Sequence, residues 1–303
     1  MNSTAYKLLN ETLKMIDGAY APSTIRAYSK NFERFIECCT QENLSALPSE
    51  PSVVARYIQK LSNENLKSAS IRLAVASIST IHKLNCFNDP TNHPWVKVEL
   101  KRMHRKLGRS SKQAYGITQS TLTSMLATLD DSTMGVRNRA LLMVAYDSMC
   151  RRSELVSLKI ENIVIDKLTN QQKIKLQKSK TDQDGNGRWL FLSEQAQKEL
   201  SRWLSMVNEK NGYIFRAVNR NFIGKSLSAA HINRIYKNIA FEAQLDNEII
   251  NKISGHSLRI GATQDLLKNG ATLPAILSKG RWSKVDTVMR YLEGTELTTW
   301  LEI

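Results

Sequence analysis

The residues of this chain best placed to do chemistry are few and far apart. They are Arg151 and Glu154 in "RRSEL", Lys180 in "QKSKTD", His256 and Arg259 in "GHSLRIGA", and Trp282 and Tyr291 in "KGRWSKVDTVMRYLEG". Most are cations or hydrogen-bond donors. Guanidinium groups stay protonated and bind an oxyanion two-pronged, so the set suits the oxygens of a phosphate. Each feature has an ordinary reading when taken alone. Arg-x-x-Glu is a common helical ion pair, and a histidine and an arginine three apart share a helix face. Trp282 alone would be core, and Tyr291 a packing residue. The pair His256 and Arg259 raises the sharper question. They sit just behind Gly255, on a segment that continues with Leu258, Ile260, Ala262, Leu266 and Leu267 at helical spacing.

Other chemistries lack their residues. No G-x-x-x-x-G-K-[ST] or G-x-G-x-x-G occurs, so neither a P-loop nor a dinucleotide fingerprint is present. No carboxylate cluster of the two-metal kind is found, and the histidines lack metal-ligand spacing. No cofactor is expected. The 303 residues hold 43 Lys and Arg against 28 Asp and Glu, a net charge of +15. An excess of that size points to a polyanion, with nucleic acid first and an acidic membrane surface second. Cys38, Cys39, Cys86 and Cys150 form no C-x-x-C pair, which fits a reducing cytoplasm rather than zinc or a disulfide framework. No apolar run nears the roughly 20 residues that span a bilayer, and "MNSTAYKLLNETLKMIDG" has no signal-peptide core. The expectation is a cytoplasmic protein without a membrane partner.

These side chains need elements to position them. Residues 22 to 106 read as four successive helices. Ile25, Tyr28, Phe32, Phe35 and Ile36 form one stripe, and Val53, Val54, Tyr57, Ile58 and Leu61 another. "SASIRLAVASISTIHKL", which carries Arg72, and "PWVKVELKRMHRKLG" supply the third and fourth. No strand period appears there, which predicts an all-helical bundle. After "ITQSTL" the pattern changes. Helices fit 118 to 129 and 133 to 150. The strand-like segments "LKIENIVID", "KIKLQKSK" and "GRWLFLS" follow, with the turn signal "TDQDGNG" between the last two. Helices resume at 193, broken by "NGYIF". The fold class is therefore mainly α: a helical bundle at 1–108, a linker at 109–116, and an α+β domain with a small antiparallel sheet at 117–303.

At the junction, residues 97 to 112 hold Lys97, Lys101, Arg102, Arg105, Lys106, Arg109 and Lys112 against the single acid Glu99. A charge run is commonly a solvated face. At a domain boundary it also suits contact with a phosphate backbone, and that reading is preferred here for Lys101, Arg102, Arg105, Lys106 and Arg109.

In their order along the chain, Arg151, Lys180, His256-x-x-Arg259, Trp282 and Tyr291 resemble the active-site set of the tyrosine recombinases, also called the phage integrase family. The likeness covers nearly the whole chain and is most specific in "GHSLRIGATQDL" and "GRWSKVDTVMRYL". It implies an N-terminal core-binding, SAM-like bundle and a C-terminal catalytic domain. It also implies cleavage and rejoining of DNA through a 3′-phosphotyrosyl bond, without metal or ATP. Tyr291 would be the nucleophile, with Arg151 and Arg259 the two forks on the phosphate and Glu154 supporting Arg151. His256 would bond the phosphate and help accept the tyrosine proton. Lys180 would protonate the leaving oxygen, with Lys178 and Lys175 as alternatives. Trp282 stands where many members carry histidine and others tryptophan, and its indole N–H can only donate. Arg152 is left over, for a backbone phosphate or an acid. Arg72 lies on one of two helical stretches, Ser23–Lys30 and Ser68–Lys83, suited to DNA. Where members often have glycine two residues before the first arginine, this chain has Met149, which suggests a different local turn.

The resemblance further implies double-stranded DNA with inverted half-sites, a homodimer on each site, and a homotetramer that exchanges strands through a Holliday junction. It implies a bacterial, phage or plasmid-encoded setting, and a segment after Tyr291 (Leu297, Trp300, Leu301, Ile303) that docks on a neighbour or folds back. A type IB topoisomerase-like nicking-closing enzyme and a non-catalytic DNA-binding regulator are the alternatives.

Overall fold

The computed structural model describes residues 2–109, 113–166, 171–177, 187–220 and 222–292. The chain divides into two compact units, Met1–Lys112 and Gln113–Ile303. The fold is mainly helical.

In the first unit, α1 (Ser3–Met15), α2 (Pro22–Gln41), α3 (Pro51–Asn63), α4 (Ser68–Leu84) and α5 (Pro94–Leu107) surround one core. Proline opens α2, α3 and α5 in their first turns, where its missing N–H costs nothing. Phe32, Phe35, Ile36, Tyr57, Ile58, Ile71, Ile78 and Ile81 are buried at the positions the helical stripes mark. α1, which composition and polarity alone do not single out as core-forming, packs against α2 through Ala5 and Leu9. His82 is fully buried among these residues. Its Nε2 accepts from the Ser49 N–H at 3.0 Å, and its Nδ1 lies 2.8 Å from the Ile78 carbonyl.

The basic run is largely helical, on α5. Lys97, Lys101 and Arg105 repeat every four residues on its exposed side. Arg102 instead pairs with the buried Glu99 at 2.9 Å, and Lys106 donates to Asn63 Oδ1 at 2.8 Å. Arg72, on α4, and Arg109 are exposed.

The second unit is built on α7 (Thr133–Ser148), which is buried nearly all round and packs against α9 (Glu194–Val207) and α12 (Ser257–Lys268). Around it lie α6 (Gln119–Ala127), α8 (Arg152–Ser157), α10 (Ala229–Glu242), α11 (Asn247–Lys252), α13 (Leu273–Gly280) and α14 (Val285–Leu292). β1 (Ile163–Ile165), β2 (Gln172–Leu176) and β3 (Arg188–Phe191) form an antiparallel sheet in sequence order, with Ile174 facing Ile163 and Leu190. The first strand is shorter than its sequence pattern, because Ile160–Asn162 makes a turn of 3₁₀ helix. A second, two-stranded ribbon, β4 (Val218–Asn219) with β5 (Phe222–Ile223), is too short to carry a period-2 signal. Apart from Gly187, the turn "TDQDGNG" lies outside the described residues.

Gly261 explains how α12 reaches the centre. A Cβ there would lie 1.8 Å from the Ile117 carbonyl oxygen, so only glycine lets the helix press against the segment entering α6. Among the described residues no helix is long and apolar enough to cross a membrane.

Candidate active site

Four segments distant in sequence meet where α7, α12 and α13 end or begin. α7 stops at Met149, whose φ of 51° lies in the left-handed region. The turn that glycine would favour therefore forms with a methionine. A side chain there costs about 1 kcal/mol, and complete burial of the Met149 side chain offsets it. The turn delivers Arg151 to the start of α8. Glu154, one turn on, bonds back to it twice: its Oε2 accepts from the Arg151 N–H at 3.0 Å, and its Oε1 accepts from Arg151 Nη1 at 2.6 Å. Burial alone would raise the Glu154 carboxyl. The Arg151 N–H and guanidinium, followed by Arg281, more than offset it and hold the carboxyl below its usual range. Glu154 is thus an anion with 4% exposure, which aims the partly exposed Arg151.

α12 begins at His256. Gly255 matters here, because a Cβ would strike Arg152 Cδ at 2.9 Å and Asn233 Oδ1 at 3.0 Å. The glycine lets α8 and α10 approach the helix start. Ser254 and Ser257 bind the entry, through the His256 N–H to Ser254 Oγ at 3.2 Å and the Ser254 N–H to Ser257 Oγ at 2.9 Å. His256 keeps solvent exposure. Even so, desolvation first, then the Arg259, Arg152 and Arg151 charges, lower its imidazole from the ordinary value. It is neutral at pH 7, and one nitrogen can accept a proton.

Arg259 is 1% exposed. Its Nη1 donates to the Met149 carbonyl and its Nη2 to the Gly280 carbonyl, each at 2.5 Å, while its Nε has no partner. Burial, with Arg151 and Arg281 adding to it, pushes its pKa down to about 10, which still leaves it charged at neutral pH. The guanidinium carbon lies 4.1 Å from the centroid of the Trp282 ring, a cation–π contact. The Trp282 ring meets Tyr291 edge-on at 5.7 Å. Tyr291, on α14, is half-buried and within electrostatic reach of Arg259. Its carbonyl accepts from Gln113 Nε2 at 3.2 Å and Gln264 Nε2 at 3.3 Å, which hold the backbone of that turn.

Arg151, Glu154, His256, Arg259, Trp282 and Tyr291 therefore converge. Arg152 is beside them, exposed at the α8 start. Lys180 and Lys178 lie outside the described residues. Lys175, on β2, has its Nζ 6.0 Å from the Trp189 ring centroid, in a cation–π contact on the sheet.

Sequence reasoning missed Arg281. The order Gly280-Arg281-Trp282 suggests that glycine makes the helix-ending turn. In fact Gly280 is the last helical residue, kept free of a side chain because a Cβ there would fall 1.7 Å from a Trp282 ring carbon, and Arg281 takes the left-handed turn at φ 57°.

The chain matches the family model described as "Phage integrase family" over residues 116–296, and the model "Phage integrase, N-terminal SAM-like domain" over residues 11–87. It is 24% identical to the recombinase Cre of Escherichia phage P1 over 278 residues, 86% of this chain and 81% of that one. It is 26% identical to an integrase/recombinase XerD homologue of Selenomonas ruminantium over 293 residues, 92% and 84% of the two chains. Among solved structures, the XerH site-specific recombinase bound to a palindromic difH substrate shares the fold with a TM-score of 0.67 at 18% identity, covering 95% of this chain and 81% of that one. A lambda integrase dimer bound to a COC′ core site shares it with a TM-score of 0.63 at 14% identity, covering 96% and 78%.

Proposed function

The chain belongs to the phage integrase family, and from that premise we propose how it acts as a site-specific tyrosine recombinase on DNA. The observation that carries the mechanism is the meeting of Arg151, His256, Arg259, Trp282 and Tyr291 from four separate segments, with one guanidinium partly exposed and another leaving a buried N–H without a partner.

The Tyr291 phenol oxygen attacks the scissile phosphorus and its proton passes to neutral His256. The bond from phosphorus to the 5′ oxygen breaks, and that oxygen takes a proton from Lys180, leaving a 3′-phosphotyrosyl bond and a free 5′-hydroxyl. Negative charge gathers on the non-bridging oxygens in the five-coordinate transition state. Arg151 and Arg259, fixed beforehand by Glu154 and by two backbone carbonyls, are there to receive it. One such preorganised donor is worth roughly 3 kcal/mol. Attack by a 5′-hydroxyl from the second duplex reverses these steps and joins the exchanged strand, so the phosphodiester energy is conserved. The same cations supply the charge that a metal would otherwise bring.

The division into a DNA-clasping bundle (1–108), a linker (109–116) and a catalytic domain (117–303) belongs to this proposal. So do the phosphate contacts from Arg72, Lys101, Arg102, Arg105, Lys106, Arg109 and Arg152. So too do a homodimer on inverted half-sites, a tetramer exchanging strands through a Holliday junction, and a cytoplasmic location. The solved lambda integrase dimer on its core site supports the dimer.

The test is a duplex nicked beside the scissile phosphate, on which cleavage cannot be reversed. Wild-type protein is expected to give a covalent band resistant to denaturation, and Tyr291→Phe none. A band that persists in Tyr291→Phe would show that another residue is the nucleophile.

A further inference from the structure

We infer that Arg281 is a positioning residue for strand cleavage, whose guanidinium ties the carboxylate behind one phosphate-binding arginine to the backbone turn that holds the other. The inference rests on the recombinase reading above and deepens it.

The contacts form a chain. Arg281 Nη2 donates to Glu154 Oε2 at 3.3 Å, and that same oxygen accepts from the Arg151 N–H. Nη2 also reaches the Met149 carbonyl at 3.3 Å, the acceptor that Arg259 Nη1 uses. Nη1 donates to the Ser148 carbonyl at 2.8 Å. A displacement of Arg281 is therefore felt by Arg151 through Glu154, and by Arg259 through Met149. Its side chain is 10% exposed, too buried to serve as a free surface charge.

The alternative is that Arg281 simply caps the last carbonyls of α7. Two features weigh against it. The residue sits at φ 57°, where glycine would cost least, so the backbone would favour another side chain. Two arginines, Arg151 and Arg281, also share the single carboxylate of Glu154, and Arg259 lies close enough to feel all three charges. Concentrating like charge is unfavourable unless an anion is to be received. With a phosphate in place, the third guanidinium strengthens the field as well as the frame.

Arg281→Gly suits the turn and removes the fork. Arg281→Lys keeps the charge but has no planar fork to span a carboxylate and two carbonyls. Both are measured against wild type for single-turnover cleavage and for equilibrium binding. The probe is a nicked duplex bearing the site that wild-type protein selects from random-sequence DNA. Both variants are expected to cleave roughly 10- to 100-fold more slowly, the size of loss that a small misplacement of a reacting group produces. Binding should stay within about threefold of wild type, because many other phosphate contacts remain. In a double-mutant cycle, Glu154→Gln added to Arg281→Gly should slow cleavage far less than the product of the two single effects, since both act along one path. Wild-type cleavage by either variant, a parallel loss of binding and cleavage, or independent multiplying losses in the cycle would each overturn the inference. A wild-type protein that forms no covalent adduct would overturn the recombinase reading and this inference with it.

Discussion

Arg259 shows how packing fixes one guanidinium in place. Each of its two terminal nitrogens gives an N–H to a carbonyl and its plane lies on Trp282, so those restraints fix the direction of the Nε–H, which has no partner. From the sequence, Trp282 was expected to act through its indole N–H. The geometry adds a second role, the cation–π platform, and the two can be separated. Trp282→Phe keeps an aromatic face and loses the N–H, whereas Trp282→Ala loses both. A desolvated cation–π contact is worth about 2 kcal/mol, equivalent to a roughly 30-fold change in rate. Trp282→Ala should therefore slow single-turnover cleavage by about that factor, with Trp282→Phe recovering most of it. If Phe is as slow as Ala, the indole N–H carries the effect and the platform does not. The same site explains Met149. The sequence flagged it as a departure from a favoured glycine, and the turn forms nonetheless, because the methionine side chain gains from burial what its backbone loses.

At the scale of elements, His82 links α4 to the loop before α3, and burial lowers its pKa even though the Ile78 carbonyl opposes this. The sign follows from that direction. The folded chain resists protonation of His82 while the unfolded chain accepts it near pH 6.5. The stability is fully present above that pH and is lost as the pH falls below it. The thermal midpoint should drop between pH 7.5 and 5.5, and His82→Gln, which can still accept from Ser49 and donate to Ile78, should narrow the drop. An unchanged slope would mean that other groups set it, His256 and His104 being lowered in the same direction. How much of this was legible divides along physical lines. Helices with an apolar stripe, such as α2 and α3, and the three-stranded sheet announce themselves through side-chain period. α1 and the β4–β5 ribbon do not, the first because its polar face dominates and the second because two residues make no period. The site residues were legible as types in an order. Arg281 was not, because its role depends on the non-glycine residue taking the left-handed turn while Gly280 makes room for the Trp282 ring, which only packing reveals.

For the molecule as a whole, the chemistry and the grip on DNA draw on different charges. In the proposed mechanism the converging set acts on one phosphate, yet the chain carries a net charge of +15, far more than one phosphate needs. On α5, Lys97, Lys101 and Arg105 form an exposed row, while Arg102 and Lys106 are already engaged within the first unit. The row is thus the part of the basic run best able to release counterions from a DNA backbone, and its contribution can be counted. Each phosphate neutralised adds about 0.9 to the slope of log affinity against log salt. Binding should weaken steeply with salt in the wild-type chain. Replacing Lys101 and Arg105 together with glutamine should lower the slope by about 2. Cleavage at saturating DNA should hardly change, because neither residue belongs to the converging set. Titrating labelled duplex across salt concentrations measures the first, and single-turnover cleavage the second. An unaltered slope would remove α5 from the interface, and the search for the missing contacts would then turn to Arg72 and Arg109. A lost cleavage step with the slope intact would mean that the row serves the chemistry after all.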